Sequence, residues 1–179
     1  QLIMKKLLLI TVISASLMFC QSPKEKASEN SNETTVIGYE FNEAGEKLNL
    51  IGGDVLITDI YLRYIQAHND KNVSKIYEMD TEDIIIKASN GAVFNGRDSH
   101  KEQLEAWFAS SDPIWSVKWM VANTLQGKDG ENESWLTTGV DKVEMVAGNS
   151  VKKHHVLDVH FVDGKVKELN VYDRATEQE

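Results

Sequence analysis

The hydrophobic repeat changes period at Pro113, and that change constrains the fold more than any other feature of the chain. Ahead of it, apolar residues recur at helical spacing. Ile57, Ile60, Tyr61, Tyr64 and His68 stand at i, i+3, i+4, i+7 and i+11, the stripe of an amphipathic helix that Asp54 or Thr58 is placed to cap. Val73, Ile76 and Tyr77 predict a second, short helix after the break His68-Asn69-Asp70-Lys71-Asn72. Leu104, Trp107 and Phe108 predict a third, with Ser99 and Glu102 at capping-box spacing and Asp112-Pro113 as its stop. Between the last two, residues 84–86 are β-branched and read as a buried strand. Asn90-Gly91 reads as a turn and Val93-Phe94 as a short return strand.

After Pro113 the period is two. Trp115, Val117, Trp119 and Val121 alternate with Ser116, Lys118 and Met120, and polar residues 126–133 follow as a loop. Residues 135–145, 151–161 and 166–172 read as further strands, joined at Gly148-Asn149 and Asp163-Gly164. Three helices followed by a meander of long antiparallel strands make an α+β layout, with one twisted sheet wrapped around the helices.

The first fifty residues are of another kind. From Met4, the basic pair Lys5-Lys6 precedes uncharged residues 7–19, an apolar run shorter than the roughly 20 residues a spanning helix needs. Leu17-Met18-Phe19-Cys20 ends the run and resembles the bacterial lipobox. Residues 1–20 are therefore expected to be a signal peptide, lipidated at Cys20, that anchors the chain to a bacterial cell envelope. Residues 21–49 are expected to form a polar tether that ends in an ambiguous edge segment; Val36, Ile37, Tyr39 and Phe41 fit a short strand or a draped coil. The folded domain is expected over residues 50–179. Cys20 is the single cysteine, so that domain has no disulfide. The chain carries a net charge of −9, which becomes −11 without Lys5 and Lys6; so acidic a surface argues against nucleic acid as a partner.

The order and spacing of several motifs resemble the nuclear transport factor 2-like superfamily, which includes SnoaL-type polyketide cyclases and ketosteroid isomerases. They are Arg63-Tyr64-Ile65, the break from His68 to Asn72, Gly96-Arg97-Asp98, and the closing run Asp158-Val159-His160-Phe161-Val162-Asp163-Gly164-Lys165-Val166. The resemblance spans residues 57–173. It implies a cone, in which a curved sheet is closed by helices around an apolar pocket, often paired as a dimer across the sheet. It also implies that Tyr64 and Asp158 fall where the isomerases place an oxyanion hole, since a phenol and a carboxylic acid can both donate to a developing enolate. The isomerases' general base falls near Ala88, whose methyl group cannot move a proton.

Strand alternation sets His154, Val156, Asp158 and His160 on one face of residues 151–161. His154 and Asp158 are about 13 Å apart on a strand, too far to share one ion whose bonds are near 2 Å, so no metal site is expected. His160, whose imidazole titrates near neutrality, is the substitute base candidate. Tyr64, Asp158 and His160 are the candidate catalytic residues, and Tyr64, His68, Val156, Asp158 and His160 the candidate ligand-binding ones. Trp115 and Trp119 are the candidates for a homodimer face. No phosphate loop, dinucleotide fingerprint or nucleophile elbow occurs, and no cofactor is expected. The leading functional reading is a non-catalytic domain that holds a small, largely apolar molecule. An isomerase, cyclase or dehydratase, and a protein-interaction module with a filled cone, stand as alternatives.

Overall fold

Helix α1 (Leu56–Asn69) forms where the first stripe predicts it, with Asp54 Oδ1 accepting the Leu56 N–H at 2.9 Å. Its buried side holds Ile57, Tyr61, Tyr64, Ile65, Ala67 and His68. Helix α2 (Val73–Met79) is capped by Asn72, whose side chain accepts from the Lys75 N–H. Helix α3 (Arg97–Ser111) starts three residues earlier than a Ser99 cap would allow, so the Ser99–Glu102 capping box is not used. Gly96 is its N-cap instead, at φ +81°, a conformation that favours glycine. Asp112, in the left-handed region, ends the helix ahead of Pro113.

This computed structural model describes residues 35–128 and 130–174. The leader, the lipobox at Cys20 and the first part of the tether lie outside the described residues. Eight strands are described: β1 (Val36–Phe41), β2 (Lys47–Gly52), β3 (Asp80–Lys87), β4 (Val93–Asn95), β5 (Ile114–Gln126), β6 (Asn132–Val146), β7 (Asn149–Val162) and β8 (Lys165–Arg174). They form one curled, unclosed sheet in the order β1-β2-β5-β6-β7-β8-β3-β4. All pairings are antiparallel except β3 with β8. The ambiguous segment before residue 50 is thus a hairpin, β1–β2, joined to the sheet where Leu50 faces Leu125 and Ile51 faces Thr124. The packed domain therefore begins ahead of residue 50.

The three helices cover one face of the sheet. Tyr61, Ile76, Ile84, Leu136, Val140, Val159 and Val166 are fully sealed in the core between them. Burial on this scale contributes about 1.5–3 kcal/mol for each large apolar side chain, less in comparison with a compact unfolded chain.

One irregularity corrects the expected dimer face. Trp115 and Trp119 are four apart and would share a face on a regular strand. The pairing of β5 with β6 shifts between Val117, opposite Val140, and Trp119, opposite Gly139, so Lys118 is an extra residue in the ladder. Trp115 consequently points into the core at 7% exposure, while Trp119 emerges on the outer face at 46%. The Trp119 indole lies over Gly139, where even a methyl group would meet its Nε1 at 2.2 Å.

Candidate functional site

The helices and the inner face of the sheet frame a half-open cavity of about 340 Å³. Its apolar wall is Ile65 from α1, Leu104 from α3, Ile86 from β3, Trp115 from β5, Leu157 from β7 and Leu169 from β8. Volume and lining are those of a small-molecule site. Two polar clusters break the apolar wall.

The first is carried by the helices and the start of β3. Asp80 stands at the α2–β3 junction, 1% exposed, and both of its carboxyl oxygens are engaged. The Tyr64 hydroxyl donates to Oδ1 at 2.9 Å, and His100 Nδ1 donates to Oδ2 at 2.7 Å. Burial, and then the charge of Asp80, raise the Tyr64 pKa well above the ordinary phenol value, so Tyr64 stays a donor. His68 packs against the Tyr64 ring at 4.5 Å and the His100 ring at 6.1 Å between centroids. Its Nδ1 donates to the Tyr64 carbonyl at 2.8 Å. Burial pushes its pKa down to about 3, so the ring is neutral. One turn up the helix, Tyr61 lines the cavity, and its hydroxyl is buried without a hydrogen-bond partner. Burial raises its pKa as well.

The second cluster is carried by β6 and β7. Lys142 and Glu144 are both buried and paired at 2.7 Å, and Trp107 Nε1 donates to the other Glu144 oxygen at 3.0 Å. Despite the burial of Glu144, Lys142 and Trp107 hold its carboxyl below the usual range. His155 Nε2 lies 3.0 Å from Asp173 Oδ1 but out of line for a hydrogen bond. Burial outweighs the Asp173 charge and lowers the His155 pKa.

Of the residues singled out from sequence, Tyr64 and His68 line the cavity. Val156, Asp158 and His160 do not. They share one face of β7, as alternation requires, but it is the outer face; Leu157, Val159 and Phe161 are the buried set. Packing decides this: three large apolar residues are buried more favourably than one valine among two imidazoles and a carboxylate. Asp158 accepts from Thr137 Oγ1 at 2.7 Å, and His160 stacks on Trp135 at 4.7 Å between centroids. The Tyr64–Asp158 pair is therefore not made; the Tyr64 hydroxyl goes to Asp80.

Asp80 and His100 were not singled out from sequence, yet each leaves a trace there. His100 extends the Leu104–Trp107 stripe back by one turn. Asp80 has the same parity as Ile84 and Ile86, the inward residues of β3. Ala88 lines the cavity, with no carboxylate at that position. Among the described residues no group of three His, Cys, Asp or Glu side chains is arranged to hold a metal ion.

No protein-family model matches this sequence, and a search of curated proteins gives no match. Solved structures do match. An epoxide hydrolase from M. tuberculosis aligns with a TM-score of 0.55 at 10% identity, over 66% of this chain and 82% of its own. The epoxide hydrolase/cyclase-like enzyme SalBIII, of pyran ring formation in the polyether salinomycin, aligns at 0.53 and 20% identity, over 66% of this chain and 91% of its own. A Kribbella flavida protein provisionally described as a ketosteroid isomerase aligns at 0.53 and 12% identity, over 69% and 81%.

Proposed function

This chain has the nuclear transport factor 2-like fold, and from that premise we propose that its cavity binds a small, largely apolar molecule bearing a polar group. The observation that carries the reading is the cavity itself, about 340 Å³ behind a largely apolar wall that Tyr61 helps to line, with the Tyr61 hydroxyl buried and unpartnered. Leaving such a group unpaired costs about 1–3 kcal/mol. A filled cone, which the interaction-module alternative requires, is at odds with 340 Å³ of open space. Naphthalene-sized probes are expected to quench Trp107 and Trp115, which line the cavity, in a saturable way. Leu157→Trp, which fills the space, abolishes the effect. The absence of saturable quenching in the wild-type chain counts against binding.

A second reading, acid–base catalysis, is favoured by one contact. With Nδ1 held by Asp80, His100 has Nε2 left as the ring nitrogen available to the cavity it lines. A carboxylate that fixes the tautomer and a nitrogen facing the substrate are what a general base needs. On this reading Tyr64, Asp80 and His100 take the roles expected of Tyr64, Asp158 and His160 in an isomerase, cyclase or dehydratase. The cyclase and hydrolase among the similar structures support it. Deuterium exchange into an enolisable ketone such as 2-tetralone tests it: wild type is expected to exceed His100→Gln, and equal rates reduce the site to binding.

The same proposal keeps the domain on a bacterial envelope through lipidated Cys20, supported by the leader pattern alone. Cys20→Ser is expected to release the chain from membranes. It also keeps a homodimer through the outer sheet face, supported by exposed Trp119, Val121, Val156 and Tyr172.

A further inference from the structure

His68 presents a fixed hydrogen-bond acceptor to the cavity. Its Nδ1 lies 2.8 Å from the Tyr64 carbonyl oxygen, which can only accept, so the proton resides on Nδ1. The other ring nitrogen, Nε2, then carries a lone pair. The groups around the ring favour no second proton. Tyr64, Phe108 and Trp115 supply aromatic faces and edges, and the neighbouring titratable groups are His100 and Lys71, both of which oppose a charge on His68. Among the described residues Nε2 has no partner, and His68 lines the cavity. An unpartnered acceptor that opens on an apolar chamber is satisfied only by a donor.

We propose that the ligand is an alcohol or phenol whose hydroxyl donates to His68 Nε2, so that His68 selects hydroxylated apolar molecules over hydrocarbons, ethers and ketones of equal size. This rests on the reading of the cavity as a small-molecule site and goes on to name what enters it. A hydrocarbon leaves Nε2 desolvated and unpaired. An ether or ketone brings a second acceptor against it. Only the hydroxyl restores the hydrogen bond that Nε2 makes with water before binding. The hydroxyl so held lies beside His100, whose ring is 6.1 Å from that of His68 between centroids.

The test compares three probes of one shape on the full wild-type chain by calorimetry: 2-naphthol, 2-methylnaphthalene and 2-methoxynaphthalene. After correction for water-to-octanol partitioning, 2-naphthol is expected to bind about tenfold more tightly than the other two. His68→Phe is expected to keep 2-methylnaphthalene binding and lose the preference, and His68→Gln, which offers an amide oxygen, to restore part of it. Nitrogen NMR of wild-type His68 supplies a readout independent of folding in the variants. Its Nε2 should resonate as a lone-pair nitrogen in the free protein and move on addition of 2-naphthol alone. Equal corrected affinities for the three probes overturn the hydroxyl selection while leaving the cavity reading in place. A preference that survives in His68→Phe overturns the role of His68. Failure of all three probes to bind removes the cavity reading and this inference together.

Discussion

Asp80 and Asp158 are aspartates of the same sheet with opposite circumstances. Asp80 opens β3 on the inner face, sealed from water, and each of its oxygens is held by a cavity-lining side chain, Tyr64 and His100. Asp158 is set in the middle of β7 on the outer face, partly exposed, with one hydrogen bond from Thr137 beside it on β6. Asp158 lies in the closing run Asp158–Val166, whereas Asp80 sits in an acidic stretch with no motif of its own. What separates them is the face of the sheet. A carboxylate acquires a chemical role here by having its surroundings apolar and its oxygens occupied, and only the inner face supplies both.

That contrast can be broken by truncating each residue in turn. Asp80→Ala leaves the Tyr64 hydroxyl and His100 Nδ1 buried without partners and is expected to cost about 3–5 kcal/mol in urea unfolding. Asp158→Ala is expected to cost less than about 1 kcal/mol. Comparable losses would mean that the two faces are not energetically distinct.

The tryptophans sharpen the comparison at slightly smaller scale. Trp115→Leu removes volume from the core and is expected to cost about 2–3 kcal/mol. Trp119→Glu is expected to leave monomer stability within about 0.5 kcal/mol while shifting light scattering from dimer to monomer. Loss of the folded state in both variants would put Trp119 in the core after all.

The smallest effect is a slope. His68 is neutral in the folded protein, with a pKa near 3, and titrates at its ordinary value of 6.5 when unfolded. Between those values the unfolded chain binds the extra proton, so stability falls as pH drops below 6.5, by about 1.4 kcal/mol per pH unit at most. His155 and His160, also lowered by burial, add to the fall in the same direction. Unfolding measured from pH 7 to 5 should show the decline, and His68→Phe should flatten it. An unchanged slope would assign the proton-sensitive group to His155 or His160 instead.

Much of the architecture was legible in the hydrophobic period. The three helices, the turns at Asn90-Gly91 and Asp163-Gly164, and the long strands fall where apolar spacing puts them, since that spacing reports directly which side of an element is buried. The site was legible only in part. Tyr64 and His68 belong to a strong helical stripe, whereas alternation on β7 groups Asp158 with His160 without saying which group faces in. The apolar content of Leu157, Val159 and Phe161 answers that question, and it opposes the placement that the resemblance implied for Asp158. The bulge at Lys118 has no local signature, because it is a property of the pairing with β6. Asp80 and His100 meet only through the packing of α3 against β3, which no short window of sequence contains.

The parallel pairing of β3 with β8 has a consequence for the order of events in folding. Asp80 is opposite Val166 and Ile86 opposite Leu169, so β3, already paired with β4, gains its second sheet neighbour from the last described strand of the chain. During synthesis β1, β2, the three helices, β3 and β4 emerge before the long strands, with the β8-facing edge of β3, which carries Ile84, Ile85 and Ile86, unpaired. Contacts so distant along the chain close slowly, and an apolar edge left waiting invites association with other chains. The nascent polypeptide is therefore most vulnerable after α3 is complete and before β8 arrives, and a chain truncated ahead of Lys165 should aggregate rather than fold.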